Sequence, residues 1–256
     1  MAAANASDIK PRSFVTNFSI VMLALMCFVP FMSPHHYPPI ATFYNEWLAA
    51  LFGLAAAVVL LRKPGTTFVF PLIALIPLGL IALLGIQIAA GKALYWQNHY
   101  LIMLYMGLSA LVMVLGANLR QSIPLAKVIP TLAGAIIAGG LISLSIIVLA
   151  KLGLSEQEPW SFFIRDYSAS HIGQINHLAN YLALGLASVI YLYLSQRLKF
   201  SGSGLLAVIF VFGLVYTGQR MAVLYIMVLS LIGFWLATRC HQQAVKIRAK
   251  QLFWLI

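Results

Sequence analysis

The chain has 256 residues, 62% of them hydrophobic and 8% charged, with 16 Lys+Arg against 5 Asp+Glu and a formal net charge of +11. An ordinary soluble domain is about 45–50% apolar and about 25% charged, so this chain cannot cover a water-facing surface and must be largely solvated by lipid. No polar domain displays the basic residues as a stripe, which argues against a nucleic-acid partner and makes membrane topology their first explanation.

Lys10 and Arg12 precede an apolar run from Phe14 to about Ser33. At roughly 20 residues it exceeds the 7–15-residue core of a signal peptide. No small-residue cleavage site follows it, so an uncleaved first span is expected. His35 and His36, beside Pro34, Pro38 and Pro39, read as an exposed turn. Further spans are expected at roughly 41–61, 68–90, 99–118, 128–150, 178–196, 203–218 and 221–238, near the ~20 residues that cross a bilayer as helix. The runs are continuously apolar instead of alternating over about 10 residues, which makes them helices and not barrel strands. Glu46 heads the second span and could pair with Arg165 or Arg220. Ala49, Gly53 and Ala57, and again Ala135 and Gly139, repeat at four-residue spacing, where small residues let helices approach closely in lipid. Pro71 and Pro77 are expected to kink the third span. Tyr95, Trp96, His99 and Tyr100 read as an interfacial aromatic belt.

The expected fold is therefore all-α: a polytopic membrane helical bundle of about eight spans plus the start of a ninth, in a single transmembrane domain. With the N-terminus in the cytoplasm, 12 of the 16 basic residues fall inside, and the opposite orientation would invert that bias. Lys92, Lys151, Arg165 and Arg220 remain outside, with Glu46, Glu156, Glu158 and Asp166. Cys27 and Cys240 fall at different depths, so no bridge is expected between them. The chain carries no HExxH, CxxC, Walker or GxGxxG pattern, and no metal or cofactor is called for.

Only residues 151–177 form a connection longer than a turn, expected on the outer side. It holds Arg165, His171 and His177 and runs from Ser168 through Gln174 and Asn176 into a helix. At helical spacing Gln174, Asn176, His177, Asn180 and Tyr181 share one arc of about 160°. Polar side chains on a membrane helix are costly against lipid, so the arc should face a bundle interior or a wet cavity. Neutral donors and acceptors of this kind suit sugar hydroxyls or phosphate oxygens, although hydrogen bonding between helices would use them equally well. Arg220 sits in the short turn Tyr216–Thr217–Gly218–Gln219–Arg220. Its planar fork suits phosphate oxygens, and the alternative is a side chain that snorkels to the interface. Residues 239–251 read as a basic cytoplasmic loop touching anionic lipid. Leu252 to Ile256 read as the opening of a ninth helix, and hence the chain as the N-terminal part of a longer protein.

The run His171-Ile172-Gly173-Gln174-Ile175-Asn176, continued by Leu178, Tyr181 and Leu182, resembles the signature of bacterial protein O-oligosaccharyltransferases. These are the pilin-glycosylation ligases of the O-antigen ligase and polymerase superfamily. The Gly218-Gln219-Arg220 turn is similar to that superfamily's Ser-Arg turn, with Gln219 in place of Ser. The resemblance implies an enzyme of the bacterial inner membrane with its active face in the periplasm. It would transfer an oligosaccharide from an undecaprenyl-diphosphate carrier to Ser or Thr of a periplasmic acceptor protein. Arg220 would hold the diphosphate, His171, Gln174 and Asn176 would line the donor site, and Arg165 would add charge. The family's histidine base lies in a large periplasmic loop expected beyond Ile256; His171 and His177 are the candidates within the chain. Two rival readings are O-antigen ligation or polymerisation on lipopolysaccharide, and a multi-pass transporter. Against the transporter, the polar groups gather at span ends and not at mid-membrane.

Overall fold

The computed structural model describes residues 14–33, 43–61, 67–153, 170, 172–239 and 243–253. All regular structure among them is helical: α1 (Phe14–Phe28), α2 (Phe43–Leu61), α3 (Leu75–Ala89), α4 (Trp96–Ser122), α5 (Leu125–Lys151), α6 (Ile175–Leu194), α7 (Phe200–Tyr216), α8 (Arg220–Arg239) and α9 (Gln243–Phe253). Four segments, Leu72–Ala89, Trp96–Gln121, Leu125–Lys151 and Ile175–Leu194, are long and apolar enough to cross a membrane. Shorter apolar helices over Asn17–Met32, Tyr44–Leu60, Phe200–Tyr216 and Arg220–Leu236 coincide with the other four expected spans. Their outer faces carry large apolar side chains such as Leu72, Phe212 and Val223, each more than half exposed. Such surface suits a lipid solvent and would be a liability in water.

The chain divides into two compact units, Met1–Met26 with Ala49–Val128, and Cys27–Leu48 with Ile129–Ile256. In the first, α1 and α2 meet through small residues. Gly53, Ala56, Ala57 and Leu60 form the buried face of α2, and the Ser19 hydroxyl donates to the carbonyls of Val15 and Ala56 at 3.0 and 3.3 Å. Gly53 and Ala57 thus pack as their spacing implied, with Ala56 joining them.

The third span departs from expectation at its start. Residues 67–71 are not helical, Pro71 being extended with φ −75° and ψ 132°, a 3-10 turn follows over Leu72–Ala74, and α3 begins at Leu75. Pro71 drives its predecessor towards extended backbone, while Pro77 falls in the first turn of α3, where a missing N–H costs no intrahelical bond. The two prolines therefore set where the helix begins and do not kink it. The non-helical segment is held by Asn118 of α4. Its Oδ1 accepts from the Val69 N–H at 3.0 Å, and its Nδ2 donates to the Val69 carbonyl at 2.8 Å and to the Val114 carbonyl at 2.8 Å. Asn118 is buried, so Asn118→Leu would strand both Val69 groups. We expect a loss of about 1–3 kcal/mol, read as a lower midpoint of thermal unfolding in detergent.

In the second unit α6 is the enclosed helix: Leu178, Ala179, Leu182, Leu186 and Val189 have no exposed surface. Glycines let it sit close to α5. A Cβ at Gly139 would lie 2.1 Å from the Tyr181 hydroxyl oxygen, so the small pair expected at Ala135 and Gly139 acts through Gly139 and its neighbour Gly140. Tyr181 stacks on Phe31 with ring centroids 4.2 Å apart and donates to the Cys27 carbonyl at 2.9 Å. Cys27 lies at the end of α1, where the 3-10 turn Val29–Met32 with Pro30 interrupts the helix.

Of the residues read as a basic loop, those from Gln243 onward are helical. Strong helix formers fill Gln243–Phe253, and Ala249 is fully buried. Arg248 caps the end of α6, donating to the Tyr193 carbonyl at 2.7 Å and the Leu198 carbonyl at 3.5 Å. Its guanidinium also lies 5.1 Å from the Tyr193 ring centroid. A cation at a helix C-terminus satisfies carbonyls that have no partner in the helix. Leu252 and Phe253 belong to α9 itself; Trp254 to Ile256 lie outside the described residues.

Candidate functional site

The chain enters α6 through a tight approach. Ser170 and Gly173 have left-handed backbone, with φ of 54° and 76°, and Ile172 is buried between them. Gln174 is the extended N-cap, with φ −142° and ψ 126°. From there Gln174, Asn176, His177 and Asn180 all lie on the exposed face of α6. Tyr181 does not join them. One residue further round the helix, it falls on the buried side with Leu178 and Leu182, so the polar arc is narrower than the sequence implied. Arg165 and His171 lie outside the described residues, as do residues 154–169 of the long connection.

Below the polar turns, α6 and α8 leave a groove of about 500 Å³ between them. Asn180, Ala183 and Ala187 face it from α6, and Leu224, Tyr225 and Val228 from α8. Asn180 and Tyr225, near the N-terminal ends of α6 and α8, are hydrogen-bonded, and Arg248 of α9, which follows α8, bonds the Tyr193 carbonyl at the C-terminal end of α6, so α6 and α8 run in the same direction. The Tyr225 hydroxyl donates to Asn180 Oδ1 at 2.5 Å and ties the two helices near their N-terminal ends. Of Gln174, Asn176, His177 and Asn180, Asn180 is the one that lines the groove.

The turn that starts α8 is closely specified. The Gly218 N–H donates to the Val215 carbonyl at 3.0 Å, and Gly218 takes φ +62° to end α7. The buried Thr217 hydroxyl donates to the Leu214 carbonyl at 2.7 Å, and the Ala222 N–H to the Gln219 carbonyl at 3.0 Å. Arg220 is then the first residue of α8, exposed and without a hydrogen-bond or ion-pair partner among the described residues. It does not pair with Glu46. A guanidinium here adds to the positive end of the helix dipole, and together they favour an anion. A Cβ at Gly218 meets no heavy atom within 4 Å, so Gly218→Ala adds only backbone strain. We expect about 1 kcal/mol of destabilisation, measurable by thermal unfolding in detergent.

No family model, curated protein or solved structure matches the chain. Sequence reasoning missed Tyr225 as a member of the site. It stands 45 residues from Asn180 in an apolar run, and no local pattern distinguishes it from an interfacial tyrosine.

Proposed function

We propose that the chain binds a polyprenyl-diphosphate-linked oligosaccharide and takes part in transferring it to a hydroxyl of a periplasmic protein. The observation that carries this reading is the meeting of two kinds of chemistry at one end of two parallel helices. An exposed arginine with no partner among the described residues heads α8, and exposed amide and imidazole side chains head α6. In this reading all eight apolar helices cross the inner membrane with the N-terminus cytoplasmic, which brings both helix ends to the outer face. Arg220 holds the diphosphate, and its fixed charge stabilises that leaving group as the bond from the sugar's anomeric carbon to the phosphate oxygen breaks. Gln174 and Asn176 bond sugar hydroxyls. His177, exposed beside them, and His171 are the candidates to accept the proton of the attacking hydroxyl. Arg165 adds positive potential near the donor.

The test is binding of purified chain in nanodiscs to three probes: undecaprenyl-diphosphate oligosaccharide, undecaprenyl phosphate and undecaprenol. The reading expects tightest binding of the first and weakest of the last. Equal affinity for all three would sink it. Glycoprotein and lipopolysaccharide profiles after gene deletion then decide the acceptor: loss of glycoprotein supports a protein acceptor, and loss of lipopolysaccharide chains moves the transfer to a lipid.

A further inference from the structure

A second groove, of about 480 Å³, opens on the lipid-facing side of the second unit between α5 and α7. That volume is within the range of about 300–1,000 Å³ typical of small-molecule sites. Its walls are hydrocarbon, with Leu144, Ile147 and Val148 on α5 facing Val208 and Phe212 on α7. Its mouth is different. Lys151, the last residue of α5, lines it together with Tyr216, the last residue of α7, and the Lys151 ammonium lies 5.9 Å from the Tyr216 ring centroid. The groove is thus an open apolar slot with a cation and an aromatic ring at the membrane-surface end.

We propose that this slot binds one anionic phospholipid of the bilayer, with an acyl chain along the groove and the headgroup phosphate on Lys151. Length and charge both favour that occupant. From Leu144 to Lys151 the helix rises about 10 Å, and from Val208 to Tyr216 about 12 Å. One leaflet is about 15 Å of hydrocarbon, half of a core about 30 Å thick. A chain anchored at Lys151 therefore follows the slot within its own leaflet, whereas a long polyprenyl chain would run past Leu144 and Val208. The ammonium selects a phosphate that carries net negative charge over a zwitterionic headgroup, whose own cation would meet Lys151. Arg220 does not line the slot, and the proposal does not use the glycan-transfer reading.

The test is native mass spectrometry of the full chain released from micelles containing equal amounts of phosphatidylglycerol and phosphatidylcholine. Wild type should retain phosphatidylglycerol about five-fold over phosphatidylcholine at this site. Lys151→Gln should remove that preference, a change that isolates this position from the basic residues elsewhere. Val208→Trp places a ring in the slot and should reduce retention of both lipids. Val208 is 58% exposed, so the larger side chain fits without disturbing the core. Equal retention of the two lipids by wild type, an unchanged preference in Lys151→Gln, or wild-type retention in Val208→Trp would each overturn the proposal. Displacement of phosphatidylglycerol by equimolar undecaprenyl phosphate would overturn it too, by giving the slot to a polyprenyl carrier.

Discussion

Replacing Arg220 with alanine should weaken binding of an undecaprenyl-diphosphate oligosaccharide on the order of 10- to 100-fold, the equivalent of about 1.5–3 kcal/mol for a charge-assisted contact. Stability should not change, because Arg220 is exposed and has no partner among the described residues that its loss would leave unsatisfied. Arg220→Lys separates the two properties of the side chain. It keeps the charge but loses the planar fork that can engage two phosphate oxygens at once, so its affinity should fall between wild type and alanine. The measurement is titration of nanodisc-embedded chain with the lipid-linked donor, beside a thermal melt of each variant. An Arg220→Ala chain that bound donor as wild type does would remove the diphosphate role. The outcome also tests the snorkelling alternative, in which Arg220 only reaches for headgroups and alanine leaves donor affinity intact.

The parts of this molecule that sequence makes legible are those written in local pattern. Apolar runs near bilayer length announce the helices, and α4, α5 and α6 appear where the runs do. Composition also leads to the polar head of α6 and to Arg220, since a polar side chain in an apolar chain draws attention wherever it lies. Pairings across long stretches of chain leave no such trace. Helical spacing places Tyr181 within the polar arc, between His177 and Gln174. Its hydroxyl is instead used by the Cys27 carbonyl, 154 residues away, and nothing within α6 encodes that. Arg248 reads as one charge among several in a basic stretch, yet its place against the α6 carbonyls makes it part of the fold. Pro77 differs from expectation for another reason. A proline interrupts a helix only from its interior, and whether a position is interior depends on where the helix starts, which element boundaries read from sequence do not settle.

A large loss of stability is expected from adding a single methyl at Gly185, where α6 passes the ring of Phe210. A Cβ built on Gly185 would lie 2.1 Å from Cε1 of that ring and 2.7 Å from Cζ, and one on Gly140 of α5 would lie 2.5 Å from Cε1. Phe210 is fully buried, so its ring has no free space to yield into. Gly185→Ala must therefore push the ring or a helix aside, at the upper end of the 1–3 kcal/mol typical of overpacking or beyond it. Gly134 of α5 provides the contrast, because no heavy atom lies within 4 Å of a Cβ there. Gly134→Ala should gain about 0.5–1 kcal/mol from the lower flexibility of alanine in a helix. Two alanines one methyl larger than the glycines they replace should thus move stability in opposite directions. A double-mutant cycle identifies the cause. Phe210→Ala alone opens a cavity and should cost about 3–5 kcal/mol. In its presence Gly185→Ala has no ring to strike, so the double variant should lose less than the two single losses combined, by about 0.5–3 kcal/mol. Thermal or chemical unfolding of the four proteins in detergent measures the coupling. Strict additivity would mean that Gly185 is needed for something other than the approach of Phe210.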